Sequence, residues 1–309
     1  KGFSNVPFTQ TEAWINARKV KGAEYIFFTD CKDSPNYLMA AELHSKPVVG
    51  DLLVVEGGPL IKRDVSFQSL TSFLESVQDM YSFVEINSST EYSPEFEVEI
   101  RRAGFQRALW MPNCPLTIEV NIQKLKLSRS WRREHKKSYS GDPKIFEIIE
   151  APKESDIEEF ICLFEEMKNA KGISYIPSKQ ELMELTKDES VNLYVIKDGT
   201  GWLAARIVWA ENLNSYDVYA ANSNRSKTCS ATHRLMVEIF EYLDSKSIST
   251  FDFGRIGPGK NGVDSVFGFK RGAGGRIVSY NGAWTASKSF FTEILMAVYR
   301  GAIQRKKRW

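Results

Sequence analysis

A chain of 309 residues is long for one hydrophobic core and comfortable for two domains. Hydrophobic residues make up 42% and charged residues 26%, and 41 Lys plus Arg against 39 Asp plus Glu leave a net charge of +2. Overall charge therefore draws the chain to no polyanion, and any such site must come from local clustering.

The predicted elements follow one order twice. "TQTEAWINARK" (9–19) opens the first half as a helix, with Thr9 or Thr11 as N-cap. "EYIFFTD" (24–30), "YLMAAEL" (37–43) and "DLLVVEGG" (51–58) read as three strands separated by turn residues. "FQSLTSFLESVQDMYSF" (67–83) carries apolar residues at helical spacing, and "FVEINS" (83–88) closes the set as a short strand. Between the halves, "KLKLSRSWRREHKKS" (124–138) holds seven Lys or Arg against one Glu. "SDIEEFICLFEEMKNAKG" (155–172) and "SKQELMELTKDE" (178–189) open the second half as helices. "NLYVIKD" (192–198), "WLAARIVWA" (202–210) and "SYDVYAAN" (215–222) repeat the three strands. "ATHRLMVEIFEYLDSKS" (231–247) repeats the helix and "FDFGRI" (251–256) the closing strand. The order implies an internal duplication of an antiparallel sheet crossed by one helix. The last stretch, "SKSFFTEILMAVYRGAIQRKKRW" (287–309), reads as a core-packing helix with a solvated basic end rather than a membrane anchor.

No apolar run approaches the roughly 20 residues of a spanning helix, so no stable membrane insertion is expected. Cys31, Cys114, Cys162 and Cys229 lie far apart without CxxC spacing, which fits free thiols in a reducing cytoplasm. Three histidines are too few and too scattered for a metal centre. The first residue is Lys1, so the natural start and any targeting signal before it are left open.

This α/β (α+β) unit order resembles the GNAT acyltransferase fold, in which a splayed central strand admits the acyl donor and the next helix offers backbone N–H groups to its pyrophosphate. By that resemblance the splayed strand is 215–222, with Tyr219, Ala220 and Ala221 beside the donor. Arg225, Ser226, Lys227 and Thr228 then lead to the N–H groups before Ala231; the plain alternative is a polar loop capped by Ser230 or Thr232. The segment lacks the glycine-rich loop usual where a GNAT binds coenzyme A.

Over nearly its full length the chain resembles the Fem-type double-GNAT transferases. The residues carrying the likeness are "FTQTEAW" (8–14), "SRSWRREHKKS" (128–138), "YAAN" (219–222) and, above all, "FDFGRIGPGKNGVDSVFGFKRGAGG" (251–275). The resemblance implies two tandem GNAT-like domains with a cleft between them. They would be an acceptor-side domain of residues 1–140 plus 287–309 and a donor-side domain of residues 141–286. It also implies a strand ending Y/F-D-x-x-G, a short loop, and then an F-K lysine at the reacting centre, here Lys270.

A fixed cation there would stabilise the oxyanion of acyl transfer, with Gly268, Gly272, Gly274 and Gly275 turning the backbone around a bulky substrate; a glycine-rich hairpin with solvated Lys270 and Arg271 is the plain alternative. Arg255 and Arg271 are candidate substrate contacts. Asp217, Asp252 and His233 are candidates for the base that deprotonates the acceptor amine, with Glu119 a weaker one. Trp131, Arg132 and Lys136 either form a phosphate-binding rim or belong to a solvated helix start. Gly57 and Gly58 of "EGGPL" border the acceptor cleft in the family.

Three functions follow from the resemblance. The preferred one is an N-acyltransferase moving an acyl group from a coenzyme A thioester to a nucleotide-linked amino sugar, such as a dTDP-linked amino-deoxyhexose, for surface polysaccharide. The second is a Fem-type transferase taking an amino acid from aminoacyl-tRNA to a peptidoglycan precursor, and the third a non-catalytic GNAT pair. Either enzyme would need no metal and would work in the cytoplasm as a monomer or homodimer.

Overall fold

Runs of alternating apolar residues assemble into two units, Lys1–Leu116 with Val278–Trp309 and Thr117–Ile277. The computed structural model describes residues 2–3, 5–46, 49–63, 65, 67–109, 114–171, 175–257 and 265–306.

The first unit opens with α1 (Glu12–Lys19), whose N-cap Thr11 accepts the Trp14 N–H. Strands β1 (Glu24–Thr29), β2 (Tyr37–Lys46) and β3 (Gly50–Gly57) form an antiparallel meander, with the short β4 (Leu60–Ile61) paired to the start of β2. α2 (Leu70–Gln78) is shorter than its apolar spacing suggested, because Phe67–Ser69 form a separate 3-10 turn. β5 (Phe83–Glu91) then returns parallel to β3, in register from Leu52 opposite Phe83 to Gly57 opposite Ser88. α3 (Pro94–Arg102) has the charge order a helix dipole favours, with Glu95 and Glu97 in its first turn and Arg101 and Arg102 in its last. β6 (Gln106–Arg107) follows.

The second unit begins with β7 (Leu116–Asn121) and α4 (Arg129–Lys137), capped by Ser128. β8 (Ile145–Ile149), α5 (Glu154–Lys171) and α6 (Lys179–Leu185) precede a second meander, β9 (Val191–Asp198), β10 (Gly201–Glu211) and β11 (Asn214–Asn222). α7 (Asn224–Thr228), α8 (Ala231–Ser245), β12 (Thr250–Asp252) and α9 (Ser265–Gly272) complete it. Its strand order is β7-β12-β11-β10-β9-β8. β13 (Arg276–Ser287) and α10 (Phe290–Lys306) then finish the first unit, where β13 runs antiparallel to β5. Residues 117–140, which the sequence grouped with the first domain, thus lie in the second unit, and most of β13 lies in the first.

Each unit has its own core. Tyr37, Leu53, Leu74, Phe96 and Trp284 anchor the first, and Tyr194, Leu235, Phe240, Phe251 and Phe253 the second. Among the described residues no helix is long and apolar enough to cross a membrane.

Candidate functional site

The two parallel strand pairs differ. In the first unit β3 and β5 stay paired over six successive positions. In the second, β11 and β12 pair only at Asn214–Thr250, Ser215–Phe251 and Tyr216–Asp252. From Asp217 onward β11 has no parallel neighbour among the described residues, so the strands part where the sequence placed the splay.

A bulge next to this opening sets its chemistry. The β10–β11 register shifts so that Val208 faces Asp217 while Ile207 faces Tyr219, leaving Val218 as the extra residue. Asp217 and Tyr219, two positions apart, therefore project to opposite faces of the sheet. Asp217 forms an ion pair with Arg206, both side chains only 5% exposed, and the Arg206 guanidinium lies 5.8 Å from the Phe269 ring on α9. Asp217 Oδ1 and Arg206 Nε are buried without a hydrogen-bond partner among the described residues. Tyr219 turns to α6, where its hydroxyl donates to Glu181 Oε1 at 3.0 Å, and Tyr175 donates to the same carboxylate at 2.9 Å. Burial, then the Glu181 charge, pushes the Tyr219 hydroxyl far above its usual value. Ala220 and Ala221 continue the splayed strand.

Lys270 stands over the opening. The sequence suggested a turn here, but residues 265–272 form α9, with Lys270 and Arg271 in its last turn. Lys270 Nζ donates to the Phe253 carbonyl at 2.5 Å, one residue beyond the last β11–β12 pair. Arg271 is exposed and Arg255 half-buried after Gly254.

The glycines after Lys270 serve the chain's own packing rather than room for a substrate. A Cβ on Gly272 would lie 2.5 Å from Trp131 Cδ1, one on Gly275 would lie 2.6 Å from the Glu119 carbonyl, and Gly274 (φ +89°) abuts the Lys126 backbone. Of the four, Gly268 faces open space. Trp131 is correspondingly buried, with Nε1 donating to the Phe269 carbonyl at 2.8 Å, so it packs under α9 instead of forming a rim. Arg132 and Lys136, also on α4, are exposed.

The other predicted residues have structural partners too. Asp252 Oδ1 accepts from the Thr117 hydroxyl and, at 2.7 Å, from Gly254 N–H, which fixes the turn out of β12. His233 packs edge-on against Trp131 and Phe269, at 4.9 and 5.1 Å between ring centroids, and burial holds its imidazole below the usual value. Glu119 pairs with Arg276 at 2.7 Å. In the first unit Gly57 and Gly58 are buried beneath Thr9 and Gln10. The Gln10 amide bridges β2 and β3, donating to the Ala40 and Glu56 carbonyls and accepting from Ala40 N–H. That bridge gives Gln10 of the opening motif a structural role.

The expected diphosphate cradle already holds carboxylates. Glu166 accepts from Asn224 N–H at 2.7 Å, at the start of α7. Glu134 accepts from Ser230 Oγ at 2.7 Å, at the left-handed residue that starts α8. That hydrogen bond holds the Glu134 carboxyl below the usual range. Arg225 turns to Asp198 and Thr200. Burial pushes the Asp198 carboxyl up, but hydrogen bonds from Thr200 and Arg225 outweigh it and hold the group low. Ser226 is buried with its hydroxyl on the Ser223 carbonyl, Thr228 bonds the Arg225 carbonyl, and Lys227 is exposed. No group of three or more His, Cys, Asp or Glu among the described residues could hold a metal ion.

Arg206, Glu134, Glu166 and Glu181 escaped the sequence reading. A lone cation inside the apolar run "WLAARIVWA" was a usable signal for Arg206, since arginine is rarely buried unpaired. Ser178-x-x-Glu181 was a usable capping pattern.

Solved structures share this architecture. FemX superposes with a TM-score of 0.78 at 13% identity, over 94% of each chain. L-PGS from Bacillus licheniformis matches at 0.61 and 15% identity, over 90% of this chain and 89% of its own. The C-terminal domain of a putative lysylphosphatidylglycerol synthetase from Agrobacterium fabrum matches at 0.62 and 13%, over 94% and 92%. No protein-family model and no curated protein sequence matches the chain. At these identities the likeness is one of fold alone, the fold that FemX has.

Proposed function

We propose that the protein is an amide-forming acyltransferase that takes an aminoacyl group from an ester donor such as aminoacyl-tRNA and passes it to the amino group of a peptidoglycan-type precursor. The observation that carries this reading is the opening between β11 and β12, with the Lys270 ammonium at its mouth. In the reaction the acceptor nitrogen attacks the ester carbonyl carbon, and a C–N bond forms as charge moves onto the oxygen. Collapse breaks the C–O bond, and the leaving hydroxyl takes a proton while the new amide loses one. An ammonium fixed beside that oxygen favours the transition state over the ground state. Lys270 fills this role, and Asp217, held by Arg206 where β11 leaves β12, is the candidate to receive the amine proton, directly or through water.

The preference for an ester donor over a coenzyme A thioester rests on Glu134 and Glu166. A diphosphate brought to the starts of α7 and α8 would meet the Glu166 carboxylate on the Asn224 N–H and the Glu134 carboxylate on the Ser230 hydroxyl, and like charges repel. One of the structural neighbours is named as part of a putative lysylphosphatidylglycerol synthetase, a name that joins an amino acid to a lipid and agrees with aminoacyl chemistry on this fold. The test is a thermal-shift screen. A non-hydrolysable aminoacyl-tRNA 3′-end analogue should raise the melting temperature. Stabilisation by acetyl-CoA or a nucleotide-linked amino sugar, and not by that analogue, would return the chain to the sugar N-acyltransferase reading.

A further inference from the structure

Helix α10 is amphipathic in the reverse sense. Its inward residues are Met296, packed on Leu52 and Phe83, and Arg300, paired with the buried Glu85 at 2.7 Å. Its outward residues are Phe290, Phe291, Ile294, Val298 and Tyr299, between 46% and 78% exposed. Five large apolar side chains within ten residues make one stripe, whereas apolar residues exposed singly are ordinary on a protein surface. Leu109, 73% exposed, lines the same small cavity as Met296 and Ala297 and extends the apolar surface beside the helix. The sequence reading of α10 as a core-packing helix thus accounts for its inner side only.

Charge selects the occupant. Lys288 is exposed just before the stripe, and after it the sequence runs Arg305, Lys306, Lys307, Arg308. In the sequence of a chain with a net charge of only +2, four cations thus follow the stripe in four consecutive positions. Phenylalanine and tyrosine on one face with adjoining lysine and arginine is the composition of a helix lying in the interface of an anionic bilayer. We infer that α10 docks the protein reversibly on an anionic lipid surface, with Phe290, Phe291, Ile294 and Val298 entering the headgroup–acyl boundary. The docking is independent of the proposed transfer reaction and does not involve Lys270 or Asp217.

The test is co-sedimentation of the full chain with vesicles of phosphatidylglycerol and phosphatidylcholine, against vesicles of phosphatidylcholine alone. Binding is expected to the anionic vesicles, to weaken as salt rises from about 0.1 to about 0.5 M, and to fall at least about tenfold in Phe290→Ser/Phe291→Ser, given the usual strength of phenylalanine burial. Ile294→Gln/Val298→Gln should show the same loss, and unchanged melting curves for either pair exclude misfolding as the cause. No sedimentation of the wild type with anionic vesicles overturns the inference. So does equal binding by both variant pairs. A wild-type dimer that becomes a monomer in the variants, with no vesicle binding, overturns it in favour of self-association.

Discussion

Replacing Arg206 by Met removes the guanidinium and keeps much of the apolar stem. Both partners of the Arg206–Asp217 pair are 5% exposed, so the change leaves a carboxylate buried without its countercharge. Breaking a buried pair from one side costs about 3–5 kcal/mol. At roughly 2–4 °C per kcal/mol for a domain of this size, the melting temperature should fall by about 6–20 °C. Arg206→Met combined with Asp217→Leu removes both charges and should recover most of the loss, because an apolar pair of similar volume is often as stable as a buried ion pair. Thermal and urea unfolding of the three proteins measure the effect, and a double-mutant cycle extracts the coupling. A single variant melting within about 2 °C of wild type would refute the claim that this pair fastens β10 to β11 at the bulge. Asp217→Asn keeps the shape but leaves Arg206 buried without its countercharge, so it too should lose about 3–5 kcal/mol; kcat measured well below its lowered melting temperature should still fall if the carboxylate accepts the amine proton.

Gly272→Ala drives a methyl group into the buried Trp131 ring and should cost about 1–3 kcal/mol, read by urea unfolding. His233 is held by burial below its usual value, so the native state binds fewer protons than the unfolded chain. The stability it protects is full above pH about 6.5 and is lost as pH falls. His233→Phe should flatten that acid slope and leave kcat within a few-fold of wild type; a large loss of turnover would restore the histidine as a base. Glu85 has the opposite sign: burial, outweighing Arg300, pushes its carboxyl above the ordinary 4.5, so its contribution is complete below that value and declines as pH rises through the folded one. Glu85→Gln should therefore gain on wild type in melting temperature between pH 5 and pH 8.

What could be read in the sequence was local. The two meanders, strand 215–222 among them, and their following helices announce themselves by periodicity, and each forms within a few residues of its expected position. Failures came where glycine or distance hid the signal. Gly268 and Gly272 made α9 look like a turn, because glycine is a poor helix former and the packing of Phe269 near Trp131, which holds this helix, is not local. The bulge between Tyr280 and Gly282 broke the alternation of β13. The carboxylates at α7 and α8 arrive from 58 and 96 residues away, so the segment 223–232 showed its cations and concealed the anions. Trp131 and Arg132 are adjacent in the basic run, yet the first is buried in the core and the second is exposed to solvent, which composition cannot separate.

The central claim, that acyl transfer takes place at the β11–β12 opening with Lys270 stabilising the oxyanion, is tested most directly by steady-state kinetics on Lys270→Met. The variant keeps the apolar stem over the Phe253 ring and loses the charge, with melting temperature as the control for folding. Lys270→Arg is no substitute for wild type, since a planar guanidinium presents its charge differently. The account predicts a fall in kcat of roughly 10²–10³ with donor affinity little changed, because the interaction is made mainly in the transition state. A turnover within a few-fold of wild type would contradict it and leave Lys270 as the cation that ties α9 to the Phe253 carbonyl.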